Sequence, residues 1–389
     1  MIPTTTPTIG TVMHITPSLG GGGAEAMLCN LIEAMSGGPW RQVIVAVKTG
    51  TRGCQAARIR PLVDGFYDLD SPALLRPAFF KALRQIIRVE QPDVVQTWMH
   101  HADLVGGLAA RMEGVKRIVW GIHMRDVFRS PGDGDFKIAM FKTALRAASR
   151  SIPKLIVSCS TTAMSDHQRS LGYPGKKMAF IANGISTSRF VPDAAAGART
   201  RNELGIPLDA PVIGFVGRFH PIKNLVLFFE AVALLQKKMP HAHIVICGGR
   251  PADLDPLAAR TYHALQDREA VHFLPFRFDM ERLYPAFSLL TLCSQSEALP
   301  MVVLEAMACG VPCVTTDVGD CREVIADTGH VVPANDPAAL AAGWEAMLSM
   351  PSAERNVISQ KARQRVESHF SLQHAANQYQ TAYAGLLHA

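Results

Sequence analysis

No run in this chain reaches the roughly 18 consecutive apolar residues that a membrane-spanning helix needs. The opening Met1-Ile2-Pro3-Thr4-Thr5-Thr6-Pro7 lacks the basic stretch and apolar core of a secretory leader, which points to the cytoplasm. No basic block with interleaved aromatics occurs, and that argues against nucleic acid as a partner. The 8 cysteines are scattered and show no zinc spacing, so reduced thiols are expected. Internal repeats and low-complexity tracts are missing too. What remains is a globular composition, 48% hydrophobic and 19% charged over 389 residues, enough for two domains with separate cores. The net charge of +6 favours anionic ligands or an anionic membrane surface.

Short β-branched apolar runs alternate with helical patterns from end to end. Strands are expected at 9–15, 42–47, 93–97, 117–121, 154–158 and 178–181. A second series follows at 212–216, 243–247, 271–274, 289–293, 313–316 and 330–332. That rhythm predicts an α/β protein with parallel sheets and crossover helices. The segment 190–211, with Pro192, Gly197, Gly205 and Pro207, reads as the linker between two halves. The stretch 352–387 reads as helices with no strand after it.

Two carboxylates interrupt the apolar run 296–312, Glu297 and Glu305, with seven residues between them. Pro300 suits the first turn of a helix, and Gly310 with Pro312 ends it. Glu297 is therefore expected in the loop before the helix and Glu305 inside it. The amides of Met301 and Val302 would be free at the helix start, a ready anion site. Carboxylate, anion cradle and carboxylate in line suit a polyol-phosphate-polyol ligand such as a nucleotide sugar.

Other candidates lie after strands, where open α/β sheets bind ligands. Gly20 to Gly23 follow the first strand, and backbone there can approach a phosphate closely. Gly21-Gly22-Gly23-Ala24-Glu25-Ala26 satisfies G-x-G-x-x-A, but a dinucleotide site needs an acidic residue after the second strand. That strand ends in Val47-Lys48-Thr49, which disfavours a nicotinamide oxidoreductase. In Gly217-Arg218-Phe219-His220-Pro221-Ile222-Lys223, two cations on a strand-to-helix loop suit a diphosphate. His123 follows one strand, and His100 and His101 another; each could bond a substrate hydroxyl or share a proton.

Some patterns carry little. His241-Ala242-His243 has no third metal ligand nearby. Asp68-Leu69-Asp70, Asp133-Gly134-Asp135 and Asp253-Leu254-Asp255 show how common D-x-D is. In the helix expected over 136–150, Ile138, Phe141, Leu145 and Ala148 form an apolar stripe, and Lys142, Arg146 and Arg150 line another face. An ordinary surface helix explains this; attachment to an anionic inner leaflet is the sharper reading.

On these residues the chain resembles the retaining glycosyltransferases of family 4, which have the GT-B fold. The resemblance rests on Glu297 and Glu305 in their Glu-Ala-Leu-Pro and Glu-Ala-Met-Ala-Cys-Gly contexts, and on the glycine loop. Gly217-Arg218 with Lys223, and Ile181-Ala182-Asn183-Gly184-Ile185, follow in family order. The run from Gln96 to Leu104 looks like bacterial polysaccharide enzymes. The resemblance implies two Rossmann-like domains facing across a cleft, residues 1–195 on the acceptor side and 196–365 for the donor, with 366–389 crossing back as a helix. It implies transfer of a hexose-type sugar from a nucleoside diphosphate sugar to a hydroxyl, with retention and without a metal or other cofactor. The acceptor would be a lipid-linked or polysaccharide precursor at the inner face of the membrane. Arg218, Lys223 and the Met301 and Val302 amides would bind the diphosphate, with Gly22 and Gly23. Glu305 would take the ribose, Glu297 the sugar, and His123 would lie near the reacting carbon.

Three departures from the family pattern stand out. Ser186 replaces a common Asp, Ala298 replaces a Gly, and Pro275-Phe276 replaces a Gly-x pair near the base, where proline offers no N–H. The rival readings are another GT-B nucleotide-sugar enzyme, such as an epimerase, and a non-catalytic nucleotide-sugar-binding subunit.

Overall fold

The structure is a computed structural model, and it describes residues 8–48, 54–70, 76–126 and 134–388. Residues 1–7, Thr49 and Asp133 from the motifs above lie outside these.

The first compact unit holds a parallel sheet of seven strands: β1 Gly10–Ser18, β2 Trp40–Lys48, β3 Gly65–Asp68, β4 Val94–Thr97, β5 Ile118–Ile122, β6 Leu155–Ser158 and β7 Met178–Phe180. Their order is β3-β2-β1-β4-β5-β6-β7. The second unit has six: β8 Val212–Val216, β9 His243–Cys247, β10 Val271–Leu274, β11 Leu289–Leu292, β12 Cys313–Thr316 and β13 Gly329–Val332, in the order β10-β9-β8-β11-β12-β13. Central strands such as β4 and β11 are buried along their whole length, as parallel strands covered on both faces must be. That burial is why they read as unbroken apolar runs.

All twelve expected strands are present, and β3 is one more. It is an edge strand, half-buried, and among the described residues it pairs only with β2, from Val43↔Gly65 to Ala46↔Asp68. With one neighbour and little burial it needs no apolar run, so Gly-Phe-Tyr-Asp carries no strand signal.

The halves divide elsewhere than expected. One unit is Met1–Gly184 with Leu372–Ala389, and the other is Ile185–Ser371. The segment 190–211 is packed structure of the second unit, not linker. Asp193 caps the helix Ala194–Glu203 by accepting from the Ala196 N–H at 2.9 Å. Phe190 is buried, and Arg201 donates to the Ala286 carbonyl at 2.9 Å. The C-terminal residues also split differently from 366–389. Helix Ser352–His369 stays in the second unit, burying Ala362 and Val366. Helix Leu372–Leu387 belongs to the first, where Ala375, Ala376, Tyr379 and Tyr383 join the core around Leu28, Leu31 and Ile44.

Candidate active site

In the second unit the candidate residues gather at the C-terminal ends of β8 and β11. The loop after β8 makes a single turn, Pro221–Lys223, and Asn224 then takes a left-handed conformation, φ 55°, to start helix Leu225–Gln236. The Gln295 N–H donates to the Ile222 carbonyl at 2.8 Å, tying this loop to the one after β11. Lys223 and Glu297 thereby meet: Nζ lies 2.5 Å from Oε1. The Ser294 hydroxyl donates to the same oxygen at 2.6 Å. Arg218 is exposed and has no hydrogen-bond or ion-pair partner among the described residues.

Gly319, at φ 56°, passes so close to the Glu297 carbonyl that a Cβ there would overlap it. The Asp320 N–H donates to the Ala298 carbonyl at 3.0 Å. The loop carrying Glu297 is therefore held on two sides.

Helix Met301–Ala308 starts one residue later than expected. Pro300 is the residue before the first turn, in extended conformation, and its carbonyl accepts from Val303 at 3.1 Å and Leu304 at 3.4 Å. The Met301 and Val302 N–H groups have no acceptor among the described residues. Gly310 ends the helix at φ 71°, as read from the sequence. Glu305 lies within it and accepts from the Tyr284 hydroxyl at 2.6 Å. Burial pushes the Glu305 carboxyl up to about 7, while Tyr284 and then Arg189 pull it down and Glu281 raises it. Tyr284 itself is fully buried. Sequence reasoning missed Ser294 and Tyr284. Ser294, three residues before Glu297, had a local signal as a turn-forming hydroxyl. Tyr284 had none, because its partner is reached only through the fold.

In the first unit, helix Gly23–Met35 starts directly after the glycine loop. The Gly22 N–H is not free: it donates to Glu25 Oε2 at 2.5 Å, and Glu25 also meets the Ser18 hydroxyl. An internal carboxylate thus occupies the donor that was expected to serve a diphosphate, because Glu25 at the third helical position reaches back to its own cap. Gly23 remains at the helix start.

His123 lies one residue past β5. Its ring stacks on Trp98 at 4.8 Å and 15°. Both ring nitrogens are buried without a hydrogen-bond partner among the described residues. Burial lowers its pKa to about 4, against the opposite effect of the nearby Asn183 side chain, so the imidazole is neutral near pH 7. His100 is core: its Nε2 lies 2.7 Å from Nε2 of buried His167. His101 stacks on Phe141 at 4.6 Å.

The remaining patterns resolve into structural roles. Asp255 accepts from the Leu257 and Ala258 N–H groups as a helix cap, and Asp68 closes edge strand β3. His243 pairs with His272 at 3.0 Å. In helix Asp135–Ser151, Leu145 is buried and Ile138, Phe141 and Ala148 are half-buried, so the apolar stripe packs inward. It is Phe136 and Met140 that are exposed, at 77% and 61%.

Two family profiles match the chain, one described as glycosyltransferase family 4 over residues 21–189 and one as glycosyl transferases group 1 over residues 210–350. The D-inositol 3-phosphate glycosyltransferase of Salinispora tropica is 33% identical over a 210-residue alignment that covers 49% of this chain and 42% of that one. The chain thus spans less than half the length of that curated relative. Among solved structures, Anabaena Alr3699/HepE in complex with UDP-glucose has a TM-score of 0.81 at 18% identity, covering 96% of this chain and 98% of that one. The sucrose-phosphate synthase of Thermosynechococcus elongatus has a TM-score of 0.80 at 21% identity, with 97% and 99% covered. At these identities the likeness is one of fold, the GT-B arrangement of two parallel-sheet domains.

Proposed function

The chain belongs to the family 4 glycosyltransferases, and we propose that it moves a sugar from a nucleoside diphosphate sugar to a hydroxyl with retention at the anomeric carbon. The observation that carries this reading is the ion pair of Lys223 with Glu297, just before the helix whose Met301 and Val302 amides have no acceptor among the described residues. Departure of the diphosphate is the step that needs help, since negative charge grows on the leaving oxygen. Lys223, the exposed Arg218 and the helix-start amides are fixed positive groups suited to that charge. They supply what a metal ion would, so the reaction is read as metal-independent. Glu305 accepts ribose hydroxyls, and Glu297 holds the sugar. His123, neutral and with neither nitrogen in a hydrogen bond of ordinary geometry among the described residues, contacts the sugar near the reacting carbon. The glycine loop at Gly22 and Gly23 contributes backbone to the diphosphate only through Gly23, as Glu25 holds the Gly22 N–H. In a front-face reaction the departing phosphate itself takes the acceptor proton, and no covalent nucleophile is required.

UDP-glucose is the donor to test first, since it is bound in one structure of the same fold. The acceptor is read as a lipid-linked saccharide at the cytoplasmic membrane face. A panel of UDP- and GDP-sugars, followed by thermal stabilisation and slow donor hydrolysis, tests the reading. Release of nucleoside diphosphate is expected with one donor, and Lys223→Ala lowers the rate by about 10²-fold. Epimerised donor without diphosphate release, or binding with no turnover, overturns the reading in favour of an epimerase or a binding subunit.

A further inference from the structure

Histidines that work on substrates are usually oriented by a hydrogen bond to the ring nitrogen that does not react. His123 has no hydrogen bond of ordinary geometry among the described residues, although the Asn183 side chain approaches closely enough to favour the charged ring. What it has is the Trp98 indole, stacked at 4.8 Å and nearly parallel. Trp98 is only 1% exposed and is itself tied from several directions. Its indole N–H donates to His14 Nδ1 at 3.3 Å. The Tyr379 ring, from helix Leu372–Leu387, lies against the indole at 6.2 Å and 27°.

The backbone around Trp98 is equally constrained. The Trp98 N–H continues the β1–β4 pairing by donating to the Ile15 carbonyl at 2.9 Å. Met99, at the unusual φ of 73°, donates to the Gly121 carbonyl at 3.2 Å. Asp103 Oδ1 accepts from the Thr97 hydroxyl at 2.6 Å and from the Gly121 N–H at 3.3 Å, locking the ends of β4 and β5 together. Gly121 also leaves room for the imidazole: a Cβ there would stand 2.8 Å from the Thr97 carbonyl and 3.3 Å from His123 Nε2.

We propose that Trp98 is the positioning residue for His123: the indole, anchored by His14 and packed by Tyr379, sets the imidazole plane without a hydrogen bond of ordinary geometry to either nitrogen. This rests on the reading above that His123 contacts the transferred sugar. A ring held by stacking keeps its polar edge available, whereas one held by a hydrogen bond has a nitrogen already committed. The last helix thereby contributes to the site through Tyr379 although it carries no residue expected to touch substrate.

The test compares Trp98→Leu, Trp98→Phe, Tyr379→Leu and His123→Ala in the full chain. Two readouts are used: steady-state donor turnover, and the imidazole NMR signals of histidine-labelled protein, with His123→Ala assigning the signal. In Trp98→Leu, kcat falls on the order of 10- to 100-fold while the donor KM moves less than about 3-fold. Its His123 signal loses the ring-current shift of the indole. Trp98→Phe, which keeps an aromatic face, recovers part of both. Tyr379→Leu shows the Trp98→Leu pattern in weaker form and serves in its place should that variant not fold. A Trp98→Leu enzyme with normal kcat, or an unmoved His123 signal in either leucine variant, overturns the positioning role while leaving the glycosyltransferase reading intact. Normal turnover in His123→Ala overturns the part of that reading assigned to His123, and the positioning role with it.

Discussion

Glu305 is a carboxyl whose surroundings work against its charge. Burial raises its pKa from the ordinary 4.5 to about 7, with only the Tyr284 hydroxyl and the more distant Arg189 opposing. The sign of the consequence follows from proton counts. Between those two values the folded state holds a proton that the unfolded chain has lost, so stability falls as pH rises through this window. For the donor the direction is the reverse. An ionised carboxylate is the better acceptor for ribose hydroxyls, so donor affinity is expected to increase as pH rises through about 7. Glu305→Gln removes the slope: calorimetric titration of UDP-glucose, whose doubly esterified diphosphate does not titrate here, between about pH 6 and about pH 8 then gives a weak, flat affinity. A wild-type affinity that does not vary across that range counts against Glu305 as the ribose ligand. At this scale the legible residues were those whose chemistry conflicts with their neighbours, two carboxylates in an apolar run and two cations at a strand end. Tyr284 and Ser294 conflict with nothing locally, and only the fold brings them to Glu305 and Glu297. The Gly22 N–H shows the same limit, since G-x-G-x-x-A does not reveal that Glu25 bends back onto it.

Elements were legible in proportion to burial. Strands covered on both faces announce themselves as apolar runs, and β3 does not, having one neighbour and half-exposed side chains. The final helix was legible as a helix but not in its contribution. Tyr383 is fully buried, its hydroxyl donating to Gln96 Oε1 at 3.3 Å and its ring lying 5.7 Å from that of Trp40. Replacing it with alanine is expected to cost about 3–5 kcal/mol, measured by denaturant unfolding. Deleting Leu372–Leu387 altogether uncovers the apolar face of helix Gly23–Met35. Calorimetry of that truncation is expected to lose the transition of the first unit and keep that of the second; an unchanged pair of transitions refutes the role given to the helix.

For the molecule as a whole, the charge of +6 and one exposed surface bear on where it works. No helix among the described residues is long and apolar enough to cross a membrane. The exposed Phe136 and Met140 share a helix with Lys137, Arg146 and Arg150, a combination that suits the surface of an anionic bilayer. Binding to vesicles containing phosphatidylserine, weakened by salt and by Phe136→Asp, is the expected result of co-sedimentation. Equal binding to neutral vesicles contradicts the electrostatic part. Whole-molecule organisation was the least legible level. The α/β rhythm revealed two halves, but a proline- and glycine-bearing stretch resembles a linker whether or not it is packed, and 190–211 is packed.

The split of the first unit into Met1–Gly184 and Leu372–Ala389 has a consequence for synthesis. The second unit is one continuous stretch of chain, whereas the first is interrupted by it. The first unit, although made earlier, must wait for the last helix before Tyr379 and Tyr383 can fill its core. A stop codon just before Leu372 would therefore leave Ile185–Ser371 whole and disable a unit whose sheet has already been made.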